Sequence, residues 1–296
     1  MLPRLSKADA LLLLSAMIWG TSYGVAKSAL AYYPVAGLIA LRFGLTVLLL
    51  LPRWLRLGRH QQLLTLRAGV PTGLVLLLIF LSETAGVSLT SAGNAAFLIS
   101  LCLLLTPPVE WLWLGKRPAG RFWIGASLSL LGTWLLTRAA TGALNRGDML
   151  MLVAALLRAC QGCLIRRQTE GKHMDMLGLT TVQAMVVAVG ALGLAMTGTG
   201  LPALPAAPAF WGAIVYLVMG CTILAFFAMN HALATSSPSH VAVLLGSEPL
   251  WGALFATIAL GEHLGISGWL GGAIIAGTAL WLALVPVRSS AMLAPA

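Results

Sequence analysis

Residues 94–125 read NAAFLISLCLLLTPPVEWLWLGKRPAGRFWIG, and residues 240–271 read HVAVLLGSEPLWGALFATIALGEHLGISGWLG. The second stretch repeats the pattern of the first at a constant offset of 146 positions. Ala95-Ala96-Phe97-Leu98 aligns with Val241-Ala242-Val243-Leu244, Gly115-Lys116-Arg117 with Gly261-Glu262-His263, and Trp123-Ile124-Gly125 with Trp269-Leu270-Gly271. A segment of about 35 residues thus recurs without a gap. Upstream, Asp9 and Asp148 each open an apolar run, now 139 positions apart, so one connection differs in length. Two copies of a five-segment apolar unit are the sequence form of a chain built from internal repeats.

Of the 296 residues, 59% are hydrophobic and 9% charged, and the mean hydropathy is +0.93. A soluble domain carries roughly 25% charged residues. So few polar groups cannot cover a core of this size, and the excess apolar surface must face lipid. At about 20 residues per span, ten apolar runs are predicted: 9–26, 35–52, 70–89, 94–114, 122–137, 148–166, 177–197, 209–229, 240–260 and 266–285. They divide into an all-α first unit over 1–139 and a second over 140–296. The ten spans nearly exhaust the chain, which leaves no room for a soluble catalytic domain.

The formal charge of +10 would suggest nucleic acid in a soluble protein. Here its placement reports orientation instead. With a cytoplasmic N-terminus, thirteen basic residues fall on the cytoplasmic side: Arg4, Lys7, Arg53, Arg56, Arg59, Arg67, Lys116, Arg117, Arg121, Arg166, Arg167, Lys172 and Arg288. Three fall outside, Lys27, Arg138 and Arg146, while Arg42 and Arg158 remain within spans. This is a positive-inside bias, and nucleic acid is not an expected partner. Five spans per unit make the two copies enter the membrane from opposite faces, as inverted repeats, with both termini cytoplasmic. The competing reading of span 1 as a signal peptide cleaved near Ala29-Leu30-Ala31 fits less well, because Asp9 matches Asp148 at the start of an internal span.

Unpaired charge at bilayer depth is costly, so ionisable residues inside spans are functional candidates. Arg42 lies in span 2, Glu83 in span 3, Arg158 in span 6 and Glu248 in span 9. Arg42 suits either a substrate carboxylate, through its planar fork of donors, or a structural ion pair. Glu248 precedes Pro249, which frees the carbonyl of Leu245, and Gly246 loosens the same turn. That pairing of a buried acid with a weakened helix suits a moving span, an ion site or a proton carrier. Glu110, at the end of span 4, is expected to snorkel to the interface. The polar residues Asn94, Gln161, Gln183 and Asn230 join the set. His231 and His240 are placed near a cytoplasmic loop and read as incidental. Trp19, Tyr23, Phe97, Phe226, Phe227 and Trp251 are candidates to line a cavity. Small-residue stripes, Gly125-Ser129-Thr133 on span 5 and Gly268-Gly272-Ala276 on span 10, mark packing or homodimer-contact helices outside the pathway. Cys102, Cys160, Cys163 and Cys221 all fall inside spans and read as packing residues. No nucleotide-binding or zinc-protease motif occurs, so no cofactor is expected.

Leu89-Thr90-Ser91-Ala92-Gly93-Asn94-Ala95-Ala96-Phe97, followed by Gly115-Lys116-Arg117-Pro118, resembles the first half of EamA-type members of the drug/metabolite transporter superfamily. Thr235-Ser236-Ser237-Pro238, Ser247-Glu248-Pro249-Leu250 and Gly261-Glu262 resemble its second half, and Trp19-Gly20 and Leu41-Arg42-Phe43 also fit. The resemblance implies ten helices in two inverted five-helix repeats in a bacterial inner membrane. It implies a central cavity lined by helices 1, 3, 4, 6, 8 and 9, and export of small metabolites by alternating access. Three positions depart from the family pattern: Lys116 replaces a usual glutamate, Glu83 a usual neutral residue, and Arg158 a usual aromatic.

The expected partners are therefore a small-molecule substrate and the lipid bilayer. Both signs of charge beside aromatics suit amino acids, aromatic ones included. Multidrug efflux of lipophilic cations on Glu83 and Glu248, and a lipid-linked flippase or membrane enzyme, are the alternatives. Proton coupling and facilitated diffusion both remain open.

Overall fold

The computed structural model describes residues 6–90, 92–137, 145–197, 201–260 and 265–284. Helix α1 (Lys7–Leu30) starts behind Ser6, whose hydroxyl accepts from the Asp9 backbone N–H at 3.0 Å. Helix α7 (Arg146–Thr169) starts behind Asn145, which accepts from the Asp148 N–H at 2.9 Å, while Asp148 accepts from the Asn145 N–H at 3.0 Å. Each acid sits three residues past its cap and favours the positive helix end; Asp148 takes the orphan Asn145 N–H, whereas Asp9 accepts from the Ser6 hydroxyl at 2.7 Å. The two halves of the chain thus open with related caps, a full capping box in the second and a side-chain cap in the first.

The remaining helices are α2 (Val35–Leu55), α3 (Arg59–Leu89), α4 (Ala92–Ser100), α5 (Cys102–Leu114), α6 (Gly120–Thr137), α8 (Met176–Thr197), α9 (Pro208–Tyr216), α10 (Ala225–Thr235), α11 (Pro238–Leu245), α12 (Glu248–Leu260) and α13 (Ile266–Leu284). A π-helical segment, Leu217–Leu224, joins α9 to α10. Among the described residues there is no strand.

Eight stretches are long and apolar enough to cross a membrane: Lys7–Leu30, Val35–Leu55, Arg59–Leu89, Phe97–Leu114, Arg146–Thr169, Met176–Thr197, Pro208–Thr235 and Ile266–Leu284. The other two expected spans correspond to α6, only 18 residues long and carrying Arg121 in its first turn, and to the α11–α12 pair, split into pieces of 8 and 13 residues. Helix α3 begins at Arg59, well before the expected residue 70, so Arg59 and Arg67 are helical rather than in a loop.

Two expected spans are broken, and at equivalent places. Helices α4 and α11 start 146 positions apart, at Ala92 and Pro238, as do α5 and α12, at Cys102 and Glu248. At each break the ladder tightens to a three-residue step: Leu101 N–H to Leu98 O at 3.2 Å, and Ser247 N–H to Leu244 O at 3.3 Å. In the second break Pro249 has no N–H to give Leu245.

Packing follows the repeat. Helix α2 lies along α8 and α6 along α13, each beside its own counterpart. Helix α3 packs on α7 as α10 and the π segment pack on α1, and α4 and α5 pack on α7 as α11 and α12 pack on α1. Exchanging the halves maps this scheme onto itself, so a two-repeat arrangement fits. Helices α1, α3, α8 and α11 begin on one face, here the near face, where α2, α5, α7, α10 and α13 end.

Close approach depends on glycine at two crossings. A Cβ on Gly271 would lie 2.4 Å from the Gly132 carbonyl oxygen, where α6 meets α13. A Cβ on Gly20 would lie 2.4 Å from the Glu248 carbonyl oxygen, so α1 presses directly on the first turn of α12. A Gly271→Ala protein must part α6 from α13 and should lose about 1–3 kcal/mol. Gly277→Ala, with open space at its Cβ, should melt like the wild type. Thermal melting of both variants in detergent checks this.

Candidate functional site

Arg158 sits near the middle of α7 and reaches two other helices. Its Nη2 lies 2.9 Å from Glu83 Oε2 on α3, and its Nη1 lies 3.5 Å from Glu248 Oε2 at the start of α12. The side chains of Arg158, Glu83 and Glu248 are 26%, 13% and 9% exposed, so the cluster is shielded without being sealed. Away from water each charge needs a partner. One guanidinium between two carboxylates leaves these three residues one negative charge in excess.

Arg42 on α2 supplies an opposite charge. Its Nε–H donates to Thr222 Oγ1 at 2.7 Å, and its guanidinium lies 5.0 Å from the Phe80 ring centroid and 5.4 Å from that of Phe43. Among the described residues no carboxylate comes within ion-pair distance of Arg42, and its two terminal amino groups donate no hydrogen bond. Contact with aromatic faces offsets part of the desolvation. The rings continue from there: Phe43 packs on Phe80 (4.8 Å between centroids), Phe80 on Phe226 (6.1 Å) and Phe226 on Trp19 (5.2 Å). The Trp19 indole N–H donates to the Cys221 carbonyl at 2.9 Å.

A neutral polar layer lies elsewhere among α3, α8 and α10. Asn230 donates to Thr180 at 3.0 Å and to Gln183 at 2.8 Å, and Gln183 donates to Thr72 at 3.0 Å. The Asn230 carbonyl oxygen and both ends of the Gln161 amide are buried with no partner among the described residues. Such groups are rare and mark sites completed by water or a ligand.

Toward the near face the interior is closed by an apolar cluster containing Leu12, Ile165, Leu179, Leu233, Val241 and Leu244. Polar ties close the rim. His240 pairs with Asp9 at 2.9 Å. Glu110 accepts from the Ser239 N–H at 2.9 Å and from its hydroxyl, capping α11 with negative charge. Arg166 Nη1 donates to the Ala234 carbonyl at 2.5 Å, at the negative end of α10. Lys116 and Arg166 both hold Glu170, and Arg53 grips Asp175 through two bonds of 2.8 and 2.9 Å.

The structure therefore brings together Trp19, Arg42, Glu83, Arg158 and Glu248 as two neighbouring groups, while Gln161 and Asn230 are buried polar residues. Phe227 stacks on His231 (6.0 Å, 22°) beside the near-face core, and Phe97 packs with Met151 and Ala154 between α4 and α7. Trp251 lines a lateral apolar cleft of about 490 Å³, together with Gly268, Gly272 and Ala276; the glycine face toward α6 is instead that of Gly271. The side chains of Tyr23 and Asn94 lie outside the described residues. Two expectations are corrected. Glu110 does not snorkel; it is 3% exposed because the α11 N-terminus needs an acceptor. His240 is not loop-exposed; it is 4% exposed and bound to Asp9. Sequence reading missed Phe80 and Thr222, whose types carry no signal inside an apolar run. It also missed the role of Asp9, although the Asp9/Asp148 spacing had flagged the position.

Two outcomes follow from these charges. An Arg158→Met protein leaves two buried carboxylates facing each other and should lose about 3 kcal/mol or more; adding Glu83→Gln should recover part of the loss, read by thermal melting. At the near-face rim, the bond from Arg53 holds the Asp175 carboxyl below its ordinary range, against the opposing effect of burial, and Lys116 followed by Arg166 does the same for Glu170. A depressed carboxylate contributes stability above its unfolded pKa of about 4, and that contribution vanishes as pH falls through the lower folded value. Melting temperature should therefore drop below about pH 4, and an Asp175→Asn, Glu170→Gln double variant should show a shallower acid dependence.

Comparison with known proteins agrees with this architecture. The sequence pattern described as the EamA-like transporter family matches residues 6–138 and 145–284. An uncharacterized transporter of Archaeoglobus fulgidus is 25% identical over 264 residues, covering 87% of this chain and 79% of that protein. A second from the same organism is 29% identical over 292 residues, covering 93% and 97%. A solved crystal structure shares the fold at a TM-score of 0.79 and 19% identity, covering 96% of this chain and 100% of that one. Both Archaeoglobus fulgidus relatives are described as transporters, not as enzymes. Matched in both halves by one family pattern, this multi-pass membrane chain belongs to the EamA-like transporter family.

Proposed function

We propose that the protein is a secondary transporter that exports zwitterionic small metabolites, amino acids foremost, by alternating access around the Arg42 and Arg158 groups. The observation that carries this is Arg42: a guanidinium at membrane depth whose terminal amino groups bond no described residue. The Glu83–Arg158–Glu248 cluster, with one negative charge in excess, stands ready for an ammonium group. A zwitterion would complete both, and the Trp19–Phe226 pair offers its side chain an apolar surface. Efflux of lipophilic cations is less favoured, because a cation without a carboxylate offers nothing to the Arg42 guanidinium and is repelled by it.

In this reading the chain makes ten spans in two inverted five-helix repeats, 1–139 and 140–296, of an inner membrane. The near face, rich in Arg53, Lys116, Arg166 and Lys172, is the cytoplasmic one. The apolar cluster and rim bonds make this the state closed toward the cytoplasm. Opening it means releasing Glu110 from α11 and Arg166 from α10. Glu248, on the helix beyond the Gly246–Ser247 break, is the candidate proton carrier.

Counterflow of labelled neutral amino acids in proteoliposomes tests the proposal. Wild-type exchange should be competed by phenylalanine or tryptophan, and Arg42→Gln should raise KM at least about tenfold, the scale of a lost charged hydrogen bond. Folded wild-type protein that exchanges no amino acid would sink the reading. Normal flux in Glu248→Gln, indifferent to an imposed pH gradient, would remove proton coupling alone.

A further inference from the structure

The π-helical segment 217–224 has no counterpart in the first half, where α3 runs unbroken from Arg59 to Leu89. π-Helical turns are rare and gather at functional sites, and this one touches both the cation and the aromatic pair. Thr222, 1% exposed, has one hydroxyl proton, which it donates to the Leu217 carbonyl five residues back at 2.8 Å. That bond turns the oxygen lone pair toward Arg42, whose Nε–H it receives at 2.7 Å. On the neighbouring residue, the Cys221 carbonyl receives the Trp19 indole N–H at 2.9 Å. One turn earlier, the Tyr216 hydroxyl donates to the Ile18 carbonyl at 3.0 Å. A single irregular segment therefore sets a side chain from α2 and one from α1 relative to each other.

We propose that Thr222 is the positioning residue for Arg42, and that through it the π segment restricts the site to ligands presenting a carboxylate end-on, with an apolar group against Trp19 and Phe226. The inference rests on the reading that Arg42 holds the substrate. With Nε committed to Thr222 and the Phe43 and Phe80 rings beside the guanidinium, the donors left are Nη1 and Nη2. Those two point the same way and match the two oxygens of one carboxylate. An amide or ester, with one carbonyl oxygen, takes half of that fork and is the poorer ligand.

The test compares wild type, Thr222→Ser and Thr222→Val by counterflow of whichever amino acid the wild type exchanges, with that amino acid's primary amide as competitor. Serine keeps the hydroxyl, and valine keeps the shape without it. Thr222→Val is expected to raise KM at least about tenfold, the scale of one hydrogen bond to a charged group. Its Vmax should stay near wild type, and its preference for the acid over the amide should shrink. Thr222→Ser is expected to keep both KM and preference. Three results would overturn the proposal: a wild-type KM in Thr222→Val, a fall in its Vmax with KM and preference unchanged, or equal defects in both variants. Absence of any amino-acid exchange by the wild type would overturn the substrate reading and this inference with it.

Discussion

A charge inside a lipid-covered bundle has no water to fall back on, and the bridge from Arg158 to Glu83 and Glu248 is where this constraint bears hardest. The three residues sit on α3, α7 and α12, so their need for one another fixes three helices at mid-depth. Elsewhere the same requirement is met locally. Threonine and serine hydroxyls return to carbonyls three or four residues back along their own helices, as Thr72, Thr133 and Thr169 do. Arg158 has no such local option, and its partners lie 75 and 90 positions away in the chain.

The frame is symmetric and the site is not. Caps, breaks and helix contacts repeat between the halves, down to the paired acids Asp9 and Asp148. Yet 139 positions before Arg158 stands Trp19, and before Gln161 stands Ser22. Charge thus occupies one half's position and an indole the other's, so related helices present different chemistry to a shared interior. The π segment deepens this asymmetry, because its counterpart in α3 is regular. The near-face rim shows the same logic, with Glu110 on the positive end of α11 and Arg166 on the negative end of α10, each complementing a helix dipole.

Much of the fold was legible. The offset of 146 positions located both broken helices, and the apolar runs located the eight membrane-length stretches, because lipid enforces continuous hydrophobicity over a fixed length. The breaks at Leu101 and Gly246–Ser247 were only half legible: Pro249 announces the second, whereas nothing marks the first. In the candidate site, the rule that intramembrane charge marks functional candidates singled out Arg42, Glu83, Arg158 and Glu248. It could not pair them, since any of the acids could have reached either arginine.

Sequence by itself determined that this is a membrane protein with two related halves, and which few residues carry charge into it. Composition and periodicity are properties of the chain alone. Tertiary structure decided that Arg158 takes both acids while Arg42 takes a threonine and aromatic faces, and that Glu110 and His240 are buried ties rather than surface residues. Those outcomes depend on distances between helices far apart in sequence, and on which backbone ends are left needing a partner, quantities that exist only once the helices have packed.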